Sequence, residues 1–221
     1  MRKLEAVFFD LDGTLVNTIT DLANAYNYAL EKLSLPKQNE ADYKYFVGDG
    51  SLNCAIRASN NSELAHEVHR IALEYYDEHL IDYSEPYTGV YDAIEVLLNR
   101  GIKMAVLSNK PDFATKKIIN TLFPKGTFVL VQGKEDTMKL KPNPSHLLSM
   151  CEEMDVDPRN CVFVGDTNVD MKTANNANMI AVGVEWGFRT IEELEQHGAD
   201  VILEEPAEIS SLPEIFETLD D

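Results

Sequence analysis

Two aspartates one residue apart, Asp10 and Asp12, have the strongest potential for chemistry in this chain. They follow a short apolar run that is typical of a buried strand, and Gly13 behind them permits a sharp turn. Two carboxylates about 4 Å apart repel each other by about 4 kcal/mol at an effective dielectric constant of about 20. A positively charged group is therefore expected beside them. An ordinary Asp-Gly turn is the alternative explanation for the pair taken alone.

The elements that must position these acids are predicted from the apolar runs along the chain. Strands are expected at residues 6–9, 102–107, 128–131, 161–164, 179–184 and 201–203. From about residue 86 onward, helical patterns separate the strands, which indicates parallel strands joined by right-handed crossovers. The predicted fold is α/β, with a doubly wound, Rossmann-like parallel sheet.

A helical pattern separates the first predicted strand from the others. No strand pattern occurs between residues 18 and 83, where apolar residues recur at helical spacing. We therefore predict an all-helical cap domain at residues 17–83, inserted into an α/β core formed by residues 1–16 and 84–221. The loop around Gly48 and Gly50 either reaches the core site from this cap or is a simple turn between helices.

Polar residues follow the predicted strands at several points. These residues are Asp10, Asp12, Ser108, Asn109 and Asp166. In open α/β sheets, ligands bind outside the carboxyl ends of the strands. We therefore expect these scattered side chains to converge on one site.

Composition limits the partners and the location. The formal net charge of −19 argues against nucleic-acid and anionic-membrane partners, although a bound divalent cation can still admit an anionic substrate. No apolar run approaches the roughly 20 residues needed to span a bilayer. The first residues enter a strand at once, so we expect no signal peptide. Cys54, Cys151 and Cys161 are interpreted as reduced core thiols of a cytoplasmic protein.

Four motifs occur in an order that resembles the haloacid dehalogenase superfamily. They are DLDGTL at residues 10–15, LSN at 107–109, KPNP at 141–144 and GDTNVD at 165–170. The first and fourth are specific, and the other two gain weight from their order. The predicted helical insertion is similar to the C1-type cap of that superfamily. Residues 46–50, 139–144 and 184–189 resemble phosphoglycolate phosphatases and their relatives, which include pyrophosphatases and nucleotidases.

The resemblance implies a phosphatase that forms an aspartyl-phosphate. Asp10 would be the nucleophile, and Asp12 would protonate the leaving group and later activate water. Mg²⁺ would be held by Asp10, by Asp166 and by the backbone carbonyl of Asp12, because oxygen ligands suit this ion.

The remaining motif residues are expected to bind the phosphoryl group. Ser108, Asn109 and Lys141 would hold its oxygens, and Asp170 would orient Lys141 or a metal-bound water. Lys110 is interpreted as a surface lysine. Arg57 and Arg189 are basic residues that could contact a carboxylate on the substrate.

We therefore expect an Mg²⁺-dependent phosphatase that acts on a small phosphorylated metabolite, such as a phosphoglycolate-like monoester. The alternatives are a sugar phosphomutase, a pyrophosphatase or a 5′-nucleotidase of the same fold, and a non-catalytic binding module. Dehalogenation is disfavoured because the dehalogenases of this superfamily work without a metal and lack the second acid that Asp12 supplies. No interface pattern stands out, so a monomer or a weak homodimer is expected.

Overall fold

The computed structural model describes residues 2–219. Its strands are β1 (Ala6–Phe9), β2 (Val16–Asn17), β3 (Glu85–Pro86), β4 (Lys103–Pro111), β5 (Leu130–Lys134), β6 (Cys161–Gly165), β7 (Ile180–Val184) and β8 (Val201–Leu203). Six of them form a parallel sheet in the order β5-β4-β1-β6-β7-β8, and β2 pairs with β3 in a short antiparallel ribbon.

Helices flank the sheet and form the insertion. They are α1 (Ile19–Lys32), α2 (Glu40–Phe46), α3 (Ser51–Ser59), α4 (Ala65–Glu78), α5 (Val90–Asn99), α6 (Asp112–Leu122), α7 (Ser145–Met154), α8 (Asn168–Asn176), α9 (Ile191–Gln196) and α10 (Leu212–Leu219). Short 3₁₀ helices lie at Pro158–Asn160 and Pro206–Ser211.

Strand β1 lies inside the sheet and is buried on both faces. Its residues alternate between two apolar clusters, with Val7 and Phe9 in one and Ala6 and Phe8 in the other. Helices α5, α6 and α10 contribute to the first cluster, whereas α7, α8 and α9 contribute to the second. The prediction of an α/β, doubly wound parallel sheet is therefore confirmed.

Two strands differ from their predicted bounds by more than one residue. Strand β5 begins at Leu130 instead of residue 128, and Phe128 before it packs edge-on against Phe9 and Phe123, with ring centroids 6.3 and 5.3 Å apart. Strand β4 continues to Pro111, with a register irregularity after Leu107. The β2–β3 ribbon was not predicted, since two-residue strands carry no detectable periodicity.

The helical insertion consists of α1 to α4, between β2 and β3 of the ribbon. Helices α1 and α4 pack together, with the rings of Tyr28 and Tyr75 stacked at 4.3 Å. Buried Asp21 on α1 accepts hydrogen bonds from the backbone N–H groups of Tyr83 and Ser84 and from the Ser84 hydroxyl. These hydrogen bonds hold the segment at residues 83–84, which leads from the insertion back to the sheet. The cap boundaries at residues 17 and 83 stay a prediction.

Two further expectations concern membrane-spanning helices and the three cysteines. No helix within residues 2–219 is both long enough and apolar enough to cross a bilayer. Cys54, Cys151 and Cys161 are buried and unbridged, as expected for core thiols.

Candidate active site

Asp10 lies at the carboxyl end of β1 and is 6% exposed. Its backbone N–H still donates to Val164 O of β6 at 2.9 Å, so the sheet itself fixes its position. Asp10 Oδ1 forms an ion pair with Lys141 Nζ at 2.9 Å and accepts no hydrogen bond from any other residue in the described part of the chain. Burial, together with the nearby charges of Asp170 and Asp12, raises the pKa of Asp10 to about 6 against the pull of Lys141.

Lys141 joins this nucleophile candidate to a second buried acid. Its Nζ donates to Asp170 Oδ1 at 2.6 Å. The other carboxylate oxygen of Asp170 accepts from the N–H and the hydroxyl of Thr167, at 3.0 and 2.6 Å. Burial opposes the charge of Lys141, but Asp10 and Asp170 outweigh it and hold the pKa of this ammonium above its usual range. The predicted contact between Lys141 and Asp170 is present.

Asp166 follows β6 and is completely buried. It accepts hydrogen bonds from the Thr14 hydroxyl at 3.2 Å and from the Phe188 N–H at 2.8 Å. Burial, then the charges of Asp170 and Asp10, raises its pKa well above the ordinary value. The chain passes so close that a Cβ at Gly13 would lie 2.3 Å from Asp166 Oδ2, and Gly13 also has a φ of +84°. The glycine of the first motif is therefore required by the fold of this site.

The buried acids form a group that suits a cation. Asp10, Asp166 and Asp170 can each present one carboxylate oxygen, with all three oxygens within 4.8 Å of one another. Lys141, whose Nζ lies 2.9 Å from Asp10 and 2.6 Å from Asp170, supplies one positive charge against three carboxylates. These oxygen donors fit a hard divalent cation such as Mg²⁺. Asp170, predicted to stand outside the ligand set, belongs to this group, whereas the proposed use of the Asp12 carbonyl stays a prediction.

The raised pKa of Asp10 predicts how pH affects the metal-free protein. In the unfolded chain an aspartate titrates near pH 3.9, so between about pH 4 and the native value of about 6 the folded state holds an extra proton. The free energy of unfolding should therefore fall as pH rises through this window, by about 3 kcal/mol in all. Urea denaturation in EDTA should show a steeper fall in the wild type than in Asp10→Asn, in which only the other buried acids, such as Asp166, still contribute. Parallel pH profiles of the two proteins would contradict it.

Binding of Mg²⁺ to the group of three buried acids should stabilise the protein. At a hundredfold excess over its dissociation constant, Mg²⁺ should raise the melting temperature of the EDTA-treated protein by about 5–10 °C. Asp166→Asn should remove most of this rise because it deletes one carboxylate of the group. Asp92→Asn, at an exposed position on α5, is the matched control and should keep the full rise. An equal rise in both variants would place the ion elsewhere.

Lys110 lies inside the protein, so its interpretation as a surface lysine is wrong. Its Nζ lies 2.9 and 3.0 Å from the two carboxylate oxygens of Asp12, and its side chain is 2% exposed. Burial opposes its charge, but the Asp12 carboxylate outweighs this and holds the pKa of Lys110 above its usual range. Asp12 also accepts from the Thr18 hydroxyl at 2.6 Å. The positive groups expected beside the two acids are thus two lysines, Lys141 at Asp10 and Lys110 at Asp12.

The sequence contained no clear signal for Lys110. The predicted strand ended at residue 107, whereas β4 continues to Pro111 with a register irregularity after Leu107. Simple alternation along a strand therefore does not give the direction of the Lys110 side chain.

Ser108 and Asn109 are buried near the carboxyl end of β4. They contact Lys110 of the same strand, Lys141 and the cap. Ser108 Oγ accepts from the Lys110 N–H at 3.3 Å. Asn109 Oδ1 accepts from the Lys141 N–H at 2.8 Å, and its Nδ2 donates to Gly48 O at 3.0 Å. The cap loop therefore reaches the core, as one of the two interpretations of its glycines predicted.

One cavity opens between the core and the cap. Asp10, Asp12, Ser108 and Asn109 line its core side. On the cap side its lining includes Leu22, Ala25, Tyr26, Val47, Cys54, Ala72, Leu73 and Tyr76. The structure thus brings together the residues predicted at the strand ends, and the roles assigned to them stay predictions.

The two candidate arginines have other partners. Arg57 pairs with both carboxylate oxygens of Asp49, at 2.6 and 2.5 Å. Arg189, on the loop after β7, donates to Val47 O at 3.0 Å and also to Lys44 O. Neither lines the cavity, so their expected contact with a substrate carboxylate is not supported. Arg189 instead ties the core to the cap.

Trp186 is a site residue whose role was left open by the sequence. Its indole N–H donates to Thr14 O at 3.0 Å, across the turn of the first motif. The loop after β7 therefore fixes the first motif through Trp186 and fixes Asp166 through the N–H of Phe188.

Comparison with known proteins agrees with this geometry. The family model described as haloacid dehalogenase-like hydrolase matches residues 7–184. A phosphoglycolate phosphatase of Chromobacterium violaceum is 31% identical, over 96% of this chain and 97% of that protein. One of Neisseria meningitidis is 32% identical, over 99% of this chain and 95% of that protein. The crystal structure of a predicted phosphoglycolate phosphatase from Haemophilus somnus aligns with a TM-score of 0.89 at 28% identity, over 96% and 99% of the two chains.

The six-stranded parallel sheet, the helical insertion and the buried acids at the strand ends define a hydrolase with an α/β core and a cap. This chain belongs to the haloacid dehalogenase-like hydrolase family. Within that family it is similar to phosphoglycolate phosphatases over its full length. The resemblance inferred from the four motifs is therefore confirmed.

Proposed function

We propose that this chain is an Mg²⁺-dependent phosphatase that hydrolyses a small phosphorylated metabolite, with a phosphoglycolate-like monoester as its substrate. The observation that carries the proposal is the Asp10 carboxylate, which lines the cavity and belongs to a group of three buried acids that could hold a cation. The names of the full-length relatives support the choice of substrate. A cytoplasmic location and a monomeric or weakly dimeric state belong to the same proposal.

In the first step, Asp10 attacks the phosphorus atom of the ester. A bond forms between a carboxylate oxygen of Asp10 and phosphorus, and the bond from phosphorus to the leaving oxygen breaks. Asp12 donates a proton to that oxygen, so the leaving group departs as an alcohol. The Lys110 and Thr18 contacts hold the Asp12 side chain at the cavity.

In the second step, water hydrolyses the aspartyl-phosphate. Asp12, now ionised, takes a proton from the attacking water, and the phosphorus bond to Asp10 breaks. Inorganic phosphate leaves, and both aspartates return to their first state. The same pair of acids thus serves both halves of the reaction.

Charge on the phosphoryl oxygens must be met by fixed donors. In this proposal Lys141 and the side chains of Ser108 and Asn109, all of them buried, supply these donors. A bound Mg²⁺, held by Asp10, Asp166 and either Asp170 or the Asp12 carbonyl, would supply further positive charge at the phosphoryl group.

The cap excludes water from the first step. Asp10 is nearly inaccessible with the cap in this position, and Gly48 and Val47 of the cap accept hydrogen bonds from Asn109 and Arg189 of the core. Substrate must therefore enter while these contacts are open, and their closure would protect the reacting groups.

The experiment is a phosphate-release assay on the purified protein with Mg²⁺. The panel contains phosphoglycolate, sugar phosphates, nucleoside monophosphates and pyrophosphate. We expect small monoesters to give the highest kcat/KM and EDTA to remove the activity. Release from none of them would overturn the proposal, and isomerisation of a sugar phosphate that depends on a bisphosphate would favour a mutase.

A further inference from the structure

The hydroxyl of Tyr76 is a buried donor with no hydrogen-bond acceptor. Tyr76 lies on α4 of the insertion, lines the cavity and is 2% exposed. Its Oη has no acceptor among residues 2 to 219, and Lys110 Nζ, which lies against the phenol, can only donate to it. Leaving a buried hydroxyl unpaired is unfavourable, so such a group at a cavity wall calls for an explanation. A phenol has a pKa near 10 and holds its proton at neutral pH, so what it lacks is an acceptor.

The ammonium group of Lys110 lies beside the ring of Tyr76. Lys110 Nζ lies 4.7 Å from the centroid of the Tyr76 ring while it contacts Asp12. An ammonium group has three donor hydrogens, and the Asp12 carboxylate lies on one side of it. Among the described residues that line the cavity, Lys110 is the only lysine or arginine.

The rest of the cap wall offers little to a polar ligand. It includes Leu22, Ala25, Val47 and Ala72. Tyr26 also lines the cavity, but its hydroxyl already donates to Ser51 O at 2.7 Å. Ser51 lines the cavity as well, and its hydroxyl is paired with His69 Nε2 at 2.8 Å. The cap therefore presents one phenol without an acceptor, and the ammonium of Lys110 from β4 of the core lies beside it.

We propose that Tyr76 Oη and Lys110 Nζ form a subsite that binds a carboxylate on the leaving group of the substrate. A carboxylate oxygen accepts the phenol proton, and its negative charge faces the ammonium, which satisfies both groups at once. The inference rests on the proposed phosphatase function and narrows its substrates to phosphate esters of small hydroxy acids. Tyr76 acts here as a specificity-determining residue and takes no part in bond breaking.

The test compares two esters of equal length in the Mg²⁺-loaded enzyme. Phosphoglycolate carries the carboxylate, and ethyl phosphate replaces it with a methyl group. Wild type should prefer phosphoglycolate by at least about tenfold in kcat/KM, and Tyr76→Phe should lower this preference by about tenfold or more, chiefly through the KM for phosphoglycolate. An unchanged preference in Tyr76→Phe would overturn the subsite.

Tyr26→Phe is the matched control. It removes a phenol hydroxyl from the same cavity wall, but one that is already bonded to Ser51 O, so the preference for phosphoglycolate should stay as in wild type. Tyr76→Phe should unfold in urea no earlier than wild type, because the hydroxyl that it removes is buried without an acceptor among the described residues.

The outcomes separate the two proposals. If wild type releases phosphate from no ester, the phosphatase proposal fails. If wild type hydrolyses both esters without preferring phosphoglycolate, the subsite alone fails. A second measurement avoids turnover: calorimetric titration of Asp10→Asn with phosphoglycolate should give a dissociation constant at least about tenfold weaker once Tyr76→Phe is added. An equal dissociation constant would also overturn the subsite.

Discussion

Replacing Asp10 by asparagine should reduce the rate of phosphate release by at least about 10⁴-fold. An amide is a poor nucleophile towards phosphorus, so the first step of the proposed reaction is lost while the shape of the side chain is kept. The assay is phosphate release from phosphoglycolate with saturating Mg²⁺. Residual activity within tenfold of wild type would exclude Asp10 as the nucleophile.

The same substitution should not weaken the fold. Above pH 6 the Asp10 carboxylate is held ionised against its burial, as its raised pKa of about 6 indicates, and a neutral amide escapes that cost. Metal-free Asp10→Asn should therefore be more stable than wild type at pH 7.5, by about 2 kcal/mol in urea. Asp92→Asn, at its exposed position, should change stability by less than about 0.5 kcal/mol. Loss of activity with this gain in stability distinguishes a chemical role from a structural one.

The core of the site was predictable because it follows from strand order. Residues that end parallel strands must meet at one edge of the sheet, and Asp10, Ser108 and Asp166 each follow a strand or lie at its carboxyl end. Only the strands and the direction of the chain were needed for that inference. The first strand was also predictable, because an apolar run that ends in two acids has few other interpretations.

The contacts between the cap and the core site could not be predicted from the sequence, for a physical reason. Contacts such as those of Asn109 with Gly48 and of Lys110 with Tyr76 join residues whose relation depends on how the insertion packs on the sheet. Helical periodicity shows which face of α4 is apolar and gives no information on what that face meets. Asp170 was predicted to orient Lys141 or a metal-bound water, and its contact with Lys141 is present. Its place among the acids that could hold a cation is added by the geometry of the structure.

Replacing Lys141 by methionine should damage both the fold and the activity. Lys141 Nζ lies 2.9 Å from Asp10 and 2.6 Å from Asp170, with a side chain that is 3% exposed. Its removal leaves two buried carboxylates without their common partner, which costs about 3–5 kcal/mol in comparable sites. Urea denaturation in EDTA should show this loss at pH 7.5. The loss should be smaller at pH 5, where Asp10 can take up a proton instead. A loss below 1 kcal/mol at pH 7.5 would contradict the assigned ion pairs.

A double variant separates the two effects of Lys141. In Lys141→Met/Asp170→Asn one of the two unpaired charges is also removed, so the metal-free protein should recover a large part of the lost stability. Phosphate release should nevertheless stay at least about 10³-fold below wild type, because no ammonium then faces the phosphoryl oxygens. Recovery of activity together with stability would mean that Lys141 serves only to neutralise Asp170. Asp170→Asn alone is the control, because Asp170 belongs to the group of acids that could hold the cation. Recovery of stability with phosphate release well below that of Asp170→Asn would place Lys141 in the chemistry, since the repaired fold would still lack the one positive side chain that touches Asp10 among the described residues.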